Sequence, residues 1–307
     1  MAERPRAAAL APRLLLVAAG PTAGSANGSP EGGSAGATEG GSGRGGAPAG
    51  QAGGVSGGSD AGAAGAGGEA TPSDGTEFTK RVVVDDLASP WEVVWGPDDW
   101  LWVTEREGKR VIRIRPNDGM VQAALELEEV SASGSQDGLL GMALHPQLMA
   151  GTNEDFVYLA YSYDSASGRR FKIRRYTYDA ASGTLSAALD LLGDLPASSD
   201  HNGGRLRVGP DGKLYYTVGD QGANQFDRKC NPNHAQDLPT AAELAAGDFS
   251  NYQGKILRLN LDGTVPDDNP ELSGVRSHVF SFGHRNPQGL AFDAKGALHS
   301  SAGSQER

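Results

Sequence analysis

The run GPDGKLYYTVGD (residues 209–220) has an earlier counterpart in GPDDWLWVTERE (96–107) and a later one in FDAKGALHSS (292–301). Each pairs a polar turn with a short run of strand-forming residues. Glycine, proline and aspartate supply the φ values and local hydrogen bonds of a tight turn. Two copies are followed by a second run that opens on Gly-Lys and ends at a turn, GKRVIRIRPNDG (108–119) and GKILRLNLDG (254–263). VIRIR and ILRLNL alternate as strands with one covered face do. Further strand-like runs are RVVVDDL (81–87), DFVYLAYSYD (155–164) and FKIRRYTYD (171–179). The one good helical stretch is TAAELAAGD (240–248). Repeated antiparallel units of this kind predict an all-β chain arranged as a β-propeller, with loops gathered about an axis. A plain β-sandwich is the rival architecture, but it gives no reason for the repeated Gly-Pro-Asp turn.

Composition sets the rest of the frame. The chain has 307 residues, 45 of them glycine, and much of the excess falls before residue 76. Residues 21–76 hold almost no large apolar side chain, so burial cannot offset their ordering entropy, and they read as a disordered linker. GSGRGG within them lacks the flanking strand and helix of a phosphate loop. Residues 1–20 combine arginines with short apolar runs and small residues, as an export signal does, although Arg13 splits the apolar region. Residues 77–307 then form the folded part. A net charge of −11 argues against nucleic acid as a partner. No apolar run is long enough for a spanning helix. A single cysteine, Cys230, excludes an intrachain disulfide and any multi-cysteine metal site, and His234 beside it does not complete a zinc site.

Two polar motifs stand where strands end. One is Ser199-Asp200-His201-Asn202-Gly203-Gly204 with Gly219-Asp220-Gln221-Gly222 downstream, and the other is Gly283-His284-Arg285-Asn286-Pro287. A histidine beside a carboxylate, with an arginine on a separate loop, is a minimum set for proton abstraction with charge stabilisation. Asp-His-Asn-Gly-Gly is also good turn chemistry by itself, and Asp220 suits its own turn as well as a ligand. Asp267-Asp268-Asn269-Pro270 is acidic but lacks the spaced oxygen ligands of a calcium loop. Trp91, Trp95, Trp100 and Trp102 lie in one early unit. Alternation sets Trp100 and Trp102 on one face, which fits packing between blades better than a sugar platform.

Four segments in order carry a family likeness: SGSQDGLLGMALHP (133–146), DHNGGRLRVGPDGKLYYTVGDQGANQ (200–225), YQGKILRLNLDGTVPDDNP (252–270) and SHVFSFGHRNPQGLAF (277–292). With them the chain resembles the soluble glucose/sorbosone (aldose sugar) dehydrogenases that use pyrroloquinoline quinone (PQQ). The resemblance implies a six-bladed propeller of the quinoprotein glucose dehydrogenase type, of which about four blades are present. It further implies oxidation of an aldose at its anomeric carbon to the lactone, PQQ and calcium as cofactors, an external electron acceptor, a periplasmic or extracellular location and pairing into homodimers. It assigns catalysis to Asp200 and His201, with His201 as general base, and to Arg285. Arg285, Asn286 and Gln225 would contact PQQ, and Gln136, Asp200 and His201 the sugar. Phe226 stands where an aliphatic residue is common, which alters the pocket. The calcium loop and further quinone contacts of the family would follow Leu298, so a C-terminally truncated member is expected. An inactive fragment or a non-catalytic binding propeller is the alternative, and a calcium-dependent sugar lactonase is a third reading.

Overall fold

The computed structural model describes residues 14–19, 78–223 and 228–302. The linker read over 21–76 lies outside the described residues, as do Gln225 and Phe226. Within residues 1–20 only Leu14–Ala19 (β1) is described, a strand that forms a two-stranded sheet with Phe78–Val84 (β2).

Three four-stranded antiparallel sheets follow. The first holds β3 (Pro90–Trp95), β4 (Leu101–Glu105), β5 (Arg110–Ile114) and β6 (Val121–Glu126) in that order. The second holds β7 (Leu139–Leu144), β8 (Phe156–Ser165), β9 (Gly168–Asp179) and β10 (Thr184–Pro196). In the third, β11 (Leu206–Val208), β12 (Leu214–Val218) and β13 (Lys255–Leu259) are joined by β16 (Val279–Phe282). The small hairpin of β14 (Glu271–Leu272) and β15 (Val275–Arg276) lies between β13 and β16 in the chain. A last hairpin, β17 (Pro287–Phe292) with β18 (Leu298–Ala302), starts a fourth sheet. The first strands of successive sheets, β3, β7, β11 and β17, neighbour one another, which is the radial arrangement of propeller blades.

The Gly-Pro-Asp repeat has a structural reason. In blade 1 the Asp98 carboxylate accepts from the Trp102 indole at 3.1 Å and pairs with Arg113, which stands opposite Trp102 across the β4–β5 register. In blade 3 the Asp211 carboxylate accepts from the Tyr215 hydroxyl at 2.9 Å and from Arg258 at 3.0 Å, and Arg258 stands opposite Tyr215. In blades 1 and 3 the turn aspartate thus fastens the second strand to the third. In the third copy Asp293 accepts the backbone N–H groups of Lys295 and Ala297. Arg258 also takes Asp268 and Asn269, so the acidic turn after β13 is a partner for arginine.

Apolar side chains fill the space between blades. Trp102, Val111, Leu139, Met142, Val157 and Tyr161 form the core between blades 1 and 2. Leu140, Tyr158, Phe171, Leu206, Tyr216 and Leu257 form the one between blades 2 and 3, with Trp91 packed against it. Each aliphatic, methionine or phenylalanine side chain among them contributes about 1.5–3 kcal/mol on burial. Packing therefore holds for Trp91 and Trp102. Trp100 shares a face with Trp102, with the Arg113 guanidinium 4.7 and 5.2 Å from the two rings, whereas Trp95, closing β3, is 54% exposed. Near the axis Glu92 of β3 pairs with Arg205 at 2.5 Å and Arg207 at 2.9 Å, and Arg205 donates to the Gln288 carbonyl. α1 (Ala241–Ala246) occupies the long loop between β12 and β13, with Thr240 and Glu243 forming a capping box and Gly247 the left-handed C-cap.

Candidate functional site

The site forms where β7, β11 and β17 begin and β12 ends. Antiparallel pairing puts these points at one end of the blades. Leu206 pairs with Tyr216, and extending that register outward sets His201 opposite Gln221, beside Asp220. The Gln221 N–H donates to the His201 carbonyl at 3.3 Å, and the Asp220 N–H to the Arg285 carbonyl at 2.7 Å. Gly219 is required here, because a Cβ on it would stand 1.9 Å from the His201 carbonyl oxygen. His201 adopts φ 49°, a left-handed conformation uncommon for a residue with a side chain. Its backbone N–H is held by the Asp200 carboxylate at 2.9 Å and the Gln136 side-chain carbonyl at 3.2 Å.

The ring of His201 is buried, and its Nδ1 lies 2.7 Å from Asp220 Oδ1. Asp200, the carboxylate adjacent in sequence, lies 4.0 Å from Nε2 and binds the backbone instead. The carboxylate that orients the ring is therefore Asp220, nineteen residues along the chain. Asp220 is buried too; its Oδ1 also accepts from the Gly222 N–H at 3.0 Å, and its Oδ2 from the Asn233 amide at 3.3 Å.

Gln136 joins three loops. Its amide nitrogen donates to Asp200 at 2.6 Å, and its oxygen accepts from the Asn286 amide at 3.0 Å. The oxygen of Asn286 in turn accepts from the Gly203 N–H at 3.0 Å. Asp200, His201, Gln136 and Asn286 thus form one connected group, with Arg285 next in the chain and its carbonyl on Asp220. Gln225 lies outside the described residues. Two clefts share Asp220 in their walls. One, of about 360 Å³, takes in Ser198, Gln221, Arg228 and His234. The other, of about 320 Å³, takes in Asn233, Gln236, Gly283, His284 and Arg285. Burial, reinforced by nearby Lys255, holds the His284 imidazole below its usual pKa.

Sequence reasoning missed Asn233 and Arg228. Arg228 donates to the Gln221 carbonyl at 2.6 Å and to the hydroxyls of Ser198 and Ser199 at 3.2 and 2.9 Å, tying its loop to the turn that carries His201. Asn-Pro-Asn at 231–233 is an ordinary turn signal, so nothing in it singles out Asn233. Cys230 is exposed, and His234 pairs with Asp237 at 2.7 Å. Among the described residues no three His, Cys, Asp or Glu side chains cluster as metal ligands, and no helix is long and apolar enough to cross a membrane.

The described blades carry a histidine–carboxylate pair and an arginine–asparagine loop at one rim. The sequence model of the Glucose / Sorbosone dehydrogenase family matches residues 87–306, and the chain belongs to that family. It is 44% identical over 228 residues to quinoprotein glucose dehydrogenase B of Acinetobacter calcoaceticus, covering 72% of this chain and 47% of that protein. It is 29% identical over 220 residues to the aldose sugar dehydrogenase YliI of Escherichia coli (strain K12), covering 69% and 53%. The PQQ-bound aldose sugar dehydrogenase of Streptomyces coelicolor superposes with a TM-score of 0.60 at 34% identity, over 73% of this chain and 59% of that one. The chain spans about half the length of the curated relatives it matches.

Proposed function

We propose that this chain carries the base-bearing part of a PQQ-dependent aldose dehydrogenase that oxidises a glucose-like sugar at its anomeric carbon to the lactone. The observation that carries the reading is the buried 2.7 Å contact between His201 Nδ1 and Asp220. The Asp220 carboxylate accepts a hydrogen bond from Nδ1–H and fixes that tautomer, so Nε2 is the nitrogen that receives a proton from substrate, and the carboxylate then stabilises the imidazolium. Asp200, on the Nε2 side with the Gln136 amide bonded to it, offers an acceptor to sugar hydroxyls.

The residues at the rim fit the quinone. Arg285 and the amide of Gln236 line one cleft and supply N–H donors suited to a flat anion rich in oxygen, while Asp220 in the same wall is already bonded to His201, Gly222 and Asn233. Asn286 stands beside Arg285, and Gln225 completes the contacts that the family likeness implies. PQQ supplies the acceptor for the hydride that leaves the anomeric carbon. An external acceptor must then remove the two electrons for turnover to continue. Calcium enters this reading by family likeness alone.

The test is reconstitution of the purified chain with PQQ and calcium, followed by glucose-dependent dye reduction. Turnover is expected, and H201A should lower it by about 10²–10⁴-fold, the usual worth of a positioned base. Failure of the quinone to bind, or an H201A variant as active as the parent, refutes the reading.

A further inference from the structure

Lys255 opens β13, and its side chain is fully buried. Among the described residues no carboxylate forms an ion pair with it; the ammonium donates to the carbonyls of His234 at 3.1 Å, Ala235 at 3.0 Å and Gln253 at 2.6 Å. Burying a lysine without a counter-ion is costly, so the position calls for a reason. Burial pushes its pKa down to about 8, with Asp237 acting in the opposite sense, and burial, with Lys255 nearby, lowers His284 as well.

The three carbonyls come from two separate stretches. His234–Gln236 is a single 3₁₀ turn after the first cleft, and Gln253 lies at the root of β13. The ammonium draws both to one point. Gly254 shows how close they come: a Cβ there would stand 2.4 Å from the Ala235 Cβ and 2.6 Å from the His284 carbonyl. The turn is capped by Asn233, whose side-chain oxygen accepts from the Ala235 N–H at 2.9 Å. The other end of that amide donates to Asp220 Oδ2 at 3.3 Å, while Asp220 Oδ1 holds the His201 ring.

We propose that Lys255 is a positioning residue for the His201–Asp220 pair, acting through the capped turn and the Asn233 amide. The inference rests on reading that pair as the proton-transfer group. Lys255 fixes the turn, the turn fixes Asn233, and Asn233 stops the Asp220 carboxylate from rotating and exchanging its two oxygens. An apolar residue of similar length would fill the same volume but would gather no carbonyls.

The experiment is nuclear magnetic resonance of the full chain without cofactor, following the His201 Nδ1 proton, assigned by its absence in H201Q. The parent should show a downfield, exchange-protected ring N–H. K255M and N233A should broaden or abolish it. L259V, which alters a buried apolar side chain at the far end of the same strand, should leave it intact. In PQQ-loaded protein, K255M and N233A should lower kcat by about 10-fold or more, as expected for a displaced base. An unchanged signal in folded K255M, or in N233A, overturns the proposal. If K255M does not fold, the N233A spectrum alone decides it. Because the ring signal is read without PQQ, loss of the link and loss of dehydrogenase activity are separate outcomes.

Discussion

Replacing Asp98 with alanine tests the account of the repeated turn. The Asp98 and Arg113 side chains are each only 7% exposed, so the pair is nearly dry. Removing one member of such a pair costs about 3–5 kcal/mol, because the other charge stays buried without its partner. The Trp102 indole N–H, on a fully buried side chain, loses its acceptor, at a further cost of about 1 kcal/mol. Arg113 keeps the Gln122 side-chain amide oxygen at 3.2 Å and the faces of Trp100 and Trp102, which offset about 1 kcal/mol. The net expectation is a loss of about 3–5 kcal/mol in a urea titration followed by circular dichroism. D98A/R113M should regain most of it, since no unpaired charge remains. Asp293, the same position in the last hairpin, is exposed, as is its partner His299, and D293A should leave the midpoint where it was. A D98A penalty below about 1 kcal/mol, the worth of a solvent-screened pair, would refute the reasoning. So would a double variant no more stable than D98A.

Two further outcomes are expected. G219A forces a methyl group against the His201 carbonyl, so dye reduction by PQQ-loaded protein should fall about 100-fold or more while the far-ultraviolet spectrum stays that of a β protein; a G219A variant with parental activity would show that the two loops do not meet as described. The Arg174 guanidinium, donating to Asp190, holds that carboxyl below the usual range. A depressed carboxylate pKa gives stability that is present above the unfolded value, about 3.9, and is lost as pH falls through the folded value. Urea midpoints should therefore drop on acidification below about pH 4, and less steeply in D190N; parallel curves for the two proteins would contradict the assignment.

Local turn chemistry explains how much of the fold the sequence discloses. The Gly-Pro-Asp turns and their flanking strands are legible because every residue that makes them lies within a dozen positions. Blade 2 lacks that turn, and β10 carries bulges with Ala187 and Asp194 at positive φ, so its place in the repeat does not show. Nor does β16 as the partner of β13, because the chain makes an excursion through residues 260–278 before it pairs. The about four blades expected prove to be three full sheets and one hairpin among the described residues. In the site, His201 and Arg285 stand out from their polar motifs, whereas Gln136 and Asn286 come only from the family likeness. The role of Asp220 does not stand out, because its bond to the ring depends on the β11–β12 register. Asp200, adjacent to His201 in sequence, instead binds the backbone and reaches the Nε2 side.

The charged cluster at the axis bears on how the molecule comes apart. Arrays in which each unit touches only its neighbours unfold piecemeal, their stability a sum of local terms. Here Glu92 of the first blade is tied to Arg205 and Arg207 of the third, Arg205 reaches the fourth hairpin, and Thr104 of the first donates to Leu140 of the second at 2.7 Å. Opening the third blade strands the buried Glu92 carboxylate of the first, and the other links bind the second blade and the hairpin to the same group. The described blades should therefore melt as a single cooperative unit, giving one calorimetric transition whose enthalpy equals the van't Hoff value.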